Sequence, residues 1–217
     1  MKLSGNPRNQ PPPLPPLPDV VLASQSLGRR TLLEKLGLRF RVAVARLDED
    51  LITERNLIKT LEKRAAAKAS EVTGNPRVYH LAEDRPTLVI GADSMAILGK
   101  RAFGKSRNRE QAKVMLKSLM GRTHLFTTAV KLVLWEQNRV KKIWEKTVAT
   151  KVTLRKLPAA ELESYLTRYD FSRFAAGYTL NETPWDLVTK IDGSYTNVIG
   201  LPFEVLLPAL RTLKIIL

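Results

Sequence analysis

Apolar and polar positions change their period several times along the chain. Val20 to Ala23 is a short apolar run, which predicts a buried strand over Asp19 to Ala23. Ser24 to Gly28 follows as a turn, and Arg29 to Leu36 reads as a helix that Gly37 stops. Phe40 to Val44 alternates apolar with basic residues, the pattern of a half-buried strand. Thr53 to Val72 is rich in Ala, Leu, Lys and Arg and predicts a long helix with Thr53 as its N-cap. Leu88 to Ala92 is a second buried strand, with Asp93 at its carboxyl end. Ala112, Met115, Leu116 and Leu119 recur at helical spacing and predict a helix over Asn108 to Met120, ended by Gly121. Thr127 to Trp135 and Ile143 to Val152 read as antiparallel neighbours across a polar turn at Gln137 to Lys142. Pro158 to Tyr169 is helical, Leu187 to Ile191 a strand, and Pro202 to Thr212 a closing helix. Strands and helices that alternate before a hairpin predict an α/β fold, a mixed sheet with flanking helices, as one domain over residues 19–217.

Residues 1–18 stand apart. Pro11 to Pro18 holds six prolines in eight positions, which favours polyproline II and forbids helix, so this segment reads as a tail serving as a spacer or a docking strip. No secretory or transit address is legible in it. The chain has no cysteine, which excludes a disulfide scaffold, a thiolate zinc site and a Cys nucleophile and fits a reducing compartment. Its apolar runs fall far short of the roughly 20 residues that cross a bilayer, so a soluble intracellular protein with no membrane partner is expected.

Charge narrows the partners. The 217 residues carry 36 Lys plus Arg against 21 Asp plus Glu, a formal charge of +15, which favours polyanions. Lys100 to Arg122 alone holds eight cations and one anion, and Arg109, Lys113 and Lys117 share one helical face as a cationic ridge.

Three places suit a phosphate. Ser24 to Arg30 is a strand-to-helix turn whose N–H groups and arginines attract an anion, or else a capped helix start with surface arginines. In Gly91-Ala92-Asp93-Ser94 a carboxylate follows a buried strand and either caps a turn or holds a divalent cation. Gly104-Lys105-Ser106 puts a lysine on a Gly turn ahead of a helix.

In order along the chain, LASQSLGRRTLLEKLGLRF, Leu47-Asp48-Glu49, LVIGADS, GKSRNREQAKVMLKSLMGRTH and GSYTNVIGLP resemble the Maf family over about residues 19–217. The resemblance implies nucleoside triphosphate pyrophosphatase activity and an inosine-triphosphatase-like fold, a long mixed sheet in two lobes with a cleft that takes the nucleotide. It carries Glu49, Lys68, Asp93 and Lys105 over as catalytic residues, and Ser24, Ser26, Arg29, Arg122 and Asn181 as substrate-binding ones. Glu49 and Asp93 would hold Mg²⁺ or Mn²⁺ and orient or deprotonate the attacking water. Lys68, Lys105 and Arg29 would take the charge on the leaving pyrophosphate.

The chain also departs from the family's pattern. Leu27 and Gly28 stand where the family has proline and its first arginine, and Ser106 stands where it has proline. In Arg173 to Glu182 the family's aspartate, lysine and glutamine have become Arg173, Phe174 and Asn181, and three glycines have become Ala176, Thr179 and Glu182. These changes are expected to reshape the nucleotide side of the cleft, each lost charge-assisted contact costing roughly 1.5–3 kcal/mol. Two functions follow as expectations. One is a Maf-type pyrophosphatase in the cytoplasm or an organelle matrix, a homodimer if free. The other is a non-catalytic Maf-derived component of a ribonucleoprotein, such as a mitochondrial ribosome or its assembly machinery, that binds ribosomal RNA and neighbouring subunits through its basic surface.

Overall fold

The computed structural model describes residues 16–180 and 187–217. Among these, seven strands form one mixed sheet in the order β2-β1-β3-β5-β6-β7, with β4 antiparallel to the far end of β3. β1 (Asp19–Leu22) pairs parallel with β2 (Arg41–Val42) and with β3 (Thr87–Leu98). β5 (Thr123–Glu136), β6 (Arg139–Leu154) and β7 (Val188–Asp192) follow in antiparallel order, and β4 is Arg101–Phe103. The helices are α1 (Leu27–Lys35), α2 (Leu57–Gly74), α3 (Arg109–Leu119), α4 (Ala159–Arg168), α5 (Tyr195–Ile199) and α6 (Phe203–Thr212).

Three long strands divide the packing into two lobes. In the first lobe Leu88, Ile90 and Ala92 of β3 pack with Leu32, Leu33, Leu206 and Leu210 of α1 and α6. On the opposite face Val89 packs with Ala69 and Val72 of α2. Farther along β3 and β5, Ala96 and Phe126 belong to a second lobe built around α3 and α4, with Leu116, Leu119, Leu162 and Leu166 at its centre. Among the described residues no helix is long and apolar enough to cross a membrane.

Several boundaries differ from the sequence reading. β3 does not stop at Ala92, so Asp93 sits mid-strand: Ser94 to Ile97 continue the ladder against Thr128 to Leu125. The N-cap of α2 is Asn56, whose Oδ1 accepts from Ile58 and Lys59, and Thr53 lies before it. The segment ahead of that cap folds back on the helix, where Arg64 Nε donates to the Ile52 carbonyl at 3.0 Å and the Glu54 amide donates to Thr60 Oγ1 at 2.9 Å. The β5–β6 hairpin turns on Gln137 and Asn138 alone, both at positive φ, a backbone matched to strand twist. β4 and α5 were not legible, because each is too short to show a period.

Candidate active site

The site begins with strand parity. Val89, Gly91, Asp93 and Met95 alternate onto the α2 face of β3, and α2 can approach because Gly91 has no side chain: a Cβ there would lie 2.4 Å from the Ala65 carbonyl oxygen. Thr60, Arg64 and Lys68 are four apart on α2 and line one wall of a cleft of about 1020 Å³. Small-molecule sites occupy roughly 300–1,000 Å³, so this volume sits at the upper end.

Lys68 reaches the cleft floor. Its Nζ donates to Asp93 Oδ1 at 2.8 Å and to the Ala92 carbonyl at 3.2 Å, and pairs with Glu49 Oε2 at 2.7 Å. All three ammonium donors are therefore engaged by oxygen. Glu49 comes from a 3-10 turn, Glu49–Leu51, that Asp48 Oδ1 caps by accepting from Asp50 N. The Ile52–Arg64 hydrogen bond holds the following residue against α2, which keeps this turn over Lys68.

Arg29 occupies the other side of β3. Its Nε donates to the Gly200 carbonyl at 2.8 Å, Nη1 to Ser24 Oγ at 2.8 Å, and Nη2 to Ser94 Oγ at 2.9 Å. Ser94 Oγ also contacts Thr128 Oγ1 at 2.9 Å, its partner across the ladder, and Thr128 donates to the Asn197 carbonyl. Burial pulls the Arg29 guanidinium below its ordinary pKa, and the Asp93 and Glu49 carboxylates oppose that shift. Arg29 thus ties the loop after β1, β3 and the end of α5 together while keeping one N–H on each terminal nitrogen.

Lys105 enters from the second lobe. It lines the cleft as an exposed residue whose ammonium is only partly desolvated, and its Nζ has no hydrogen-bond or ion-pair partner among the described residues. Burial lowers its ammonium pKa, and the Arg29 charge lowers it further. Beyond it, Arg107 Nη2 donates to Asp50 Oδ2 at 2.6 Å, an exposed pair that spans the mouth between the lobes.

The structure therefore brings Ser24, Ser26, Arg29, Glu49, Lys68, Asp93 and Lys105 to one cleft. Arg122 does not join them. It is exposed at the α3–β5 turn, where its amide donates to Leu119 O and its carbonyl accepts from Leu154 N, a purely structural tie. Asn181 lies outside the described residues. The sequence reading left Thr60, Arg64, Ser94 and Tyr178 unassigned. The spacing of four through Thr60, Arg64 and Lys68 was the available signal for the first two.

The departures have physical consequences. A Cβ at Gly28 would meet the Ile199 carbonyl oxygen at 2.7 Å, so α5 stands where a longer residue would begin. Ala176, fully buried, adopts φ +60, a left-handed backbone that glycine accepts more readily. Phe174 is a half-buried part of the cleft wall, with the Arg173 guanidinium 5.3 Å from its ring centre, and the cleft remains open beside it. The cationic ridge is partly neutralised: Glu163 of α4 accepts from Arg109 at 2.8 Å and pairs with Lys113.

His124 is structural. It is 2% exposed, with Nε2 at 2.7 Å from the Tyr178 hydroxyl, and burial lowers its pKa to about 4. An unfolded histidine titrates near 6.5, so as pH falls the unfolded chain takes up the proton first. This contribution to stability is intact above pH 6.5 and declines down to pH 4, by about 3 kcal/mol in total. Thermal melts over that range should fall more steeply for the wild type than for His124→Gln. Parallel curves would refute this assignment.

A sequence model of the family described as Maf-like protein matches residues 19–213. The chain belongs to the Maf family. A dTTP/UTP pyrophosphatase from Pelotomaculum thermopropionicum is 33% identical to this Maf protein over 193 residues, 89% of this chain and 95% of the relative. A nucleoside triphosphate pyrophosphatase from Rhodopseudomonas palustris is 30% identical over 200 residues, 91% and 95% of the two chains. A looser likeness is the crystal structure of a nucleoside-triphosphatase (dITP/XTP pyrophosphatase) from Mycobacterium abscessus, with 15% identity, 90% and 97% coverage and a TM-score of 0.39.

Proposed function

We propose that this Maf protein hydrolyses nucleoside triphosphates to the monophosphate and pyrophosphate, with dTTP and UTP as the first substrates to test. The observation that carries the reading is Lys68 held between Glu49 and Asp93 at the floor of a nucleotide-sized cleft. A carboxylate in the middle of a strand is costly to bury without a partner, and here a helix supplies the ammonium that offsets it.

The donor set fits a divalent cation. Two carboxylates converge, with no cysteine in the chain and the described histidines outside the cleft lining, and Mg²⁺ typically takes one or two carboxylates plus substrate phosphates. Glu49 and Asp93 would hold it, and Mg²⁺ or Mn²⁺ there would supply charge neutralisation at the phosphates. Asp93 or Glu49 accepts a proton from the attacking water as its oxygen bonds the α phosphorus and the bond from that phosphorus to the bridging oxygen breaks. Lys105 meets the negative charge that gathers on the departing pyrophosphate. Arg29 and Ser24 hold the loop between β1 and α1 in place as the opposite wall.

Pyrophosphate release from dTTP or UTP with Mg²⁺ or Mn²⁺ tests this. Release at least a hundredfold above a Glu49→Gln, Asp93→Asn double variant is the expected result, and no difference between the two proteins would end the proposal. The ribonucleoprotein alternative finds no favouring observation in the folded chain, since Glu163 and Asp50 answer three cations of the basic stretch.

A further inference from the structure

Ser106 is buried, 4% exposed, yet its Oγ has no hydrogen-bond partner among the described residues. Buried hydroxyls are normally paired, and each orphan calls for a physical reason. The other unpartnered hydroxyls, Thr87 and Thr127, do not line the cleft, whereas Ser106 does. It also follows Lys105 directly, a cleft cation whose ammonium meets no protein oxygen among the described residues, while Lys68 and Arg29 already donate to Asp93, Glu49, Ser24, Ser94 and Gly200. Two adjacent residues on the same wall thus lack a protein partner among the described residues, the buried Ser106 hydroxyl and the exposed Lys105 ammonium.

We infer that Ser106 is a substrate-binding residue whose hydroxyl donates to a phosphate oxygen of the departing pyrophosphate, beside the Lys105 ammonium. The inference rests on the pyrophosphatase reading for its ligand. A phosphate oxygen satisfies both groups at once: the ammonium needs an anion, and a hydroxyl donating to a charged acceptor makes a bond stronger than a neutral pair. A proline here, as in the family's pattern, would leave Lys105 without that neighbour, so the contact belongs to this chain's own departure at Ser106. Since Lys105 is the cation set against the departing pyrophosphate, loss of the hydroxyl next to it falls on the pyrophosphate.

The test uses the full chain and two ligands. Calorimetric titration with inorganic pyrophosphate and, separately, with UMP or TMP compares wild type with Ser106→Ala and Ser106→Thr. The expected result is pyrophosphate affinity about tenfold weaker in Ser106→Ala. Monophosphate affinity should be unchanged and Ser106→Thr should approach the wild type. Pyrophosphate affinity unchanged in Ser106→Ala, equal weakening toward both ligands, or wild type that binds no pyrophosphate would each overturn it. Wild type that binds pyrophosphate through Ser106 but never hydrolyses a nucleoside triphosphate would uphold this contact and bring down the catalytic reading instead.

Discussion

Asp93→Asn should lower pyrophosphate release by about 10²- to 10⁴-fold, the span that a positioned acid or base contributes. Asparagine keeps the size and one acceptor oxygen, so Lys68 retains a partner at Asp93 Oδ1 while a negative charge vanishes from the cleft floor. The variant therefore separates shape from charge. Neighbouring Glu49 is more exposed, with 43% of its side chain open against 12% for Asp93, so it cannot reproduce the same buried charge. Steady-state turnover checks this, with circular dichroism confirming the fold. Turnover within threefold of the wild type would remove Asp93 from the chemistry.

Gly91→Ala should cost about 3 kcal/mol, at the upper end of what overpacking does. For a chain of this size that corresponds to a fall in Tm of roughly 6–12 °C. The new Cβ would sit 2.4 Å from the Ala65 carbonyl oxygen and 3.0 Å from the Ala69 Cβ, so α2 has to move away from β3. Lys68 rides on that helix between those contacts and the cleft, and a displacement near 1 Å at a positioning group can cost about a hundredfold in rate. Gly74→Ala, at the end of the same helix with nothing within 4 Å of its added Cβ, is the control and should melt with the wild type. A Gly91→Ala protein that melts with that control would remove the close-packing argument.

How much of this was legible beforehand depends on the range of the interaction. Asp93 and Lys105 stood out from short motifs, Glu49 and Lys68 only through the family resemblance, and the helix and strand content followed from local period. The length of β3 could not be read. A carboxylate after Gly91 and Ala92 looks like the end of a buried strand, because a window of ten residues does not contain the lysine that offsets it, 25 positions upstream. The same holds for Ser94, whose role comes from its cross-strand partner Thr128 and from Arg29 on another element. Arg122 was drawn in by an intact motif whose backbone turns out to close a turn. Charge counted along the chain overstated the ridge on α3, since Glu163 meets it from α4, more than 40 residues away.

The three long strands carry a mechanical consequence. β3, β5 and β6 run unbroken from one lobe into the other, with their hydrogen bonds continuous between Thr87 and Ile97 on the β3–β5 ladder. Hinge closure needs a few backbone positions free to swing, and where three bonded ribbons cross together the backbone is held in ladder hydrogen bonds instead. Discrimination among nucleotides then falls to the shape of a rigid slot met by the incoming molecule, and engineering a new base preference here means recarving side chains rather than loosening a joint.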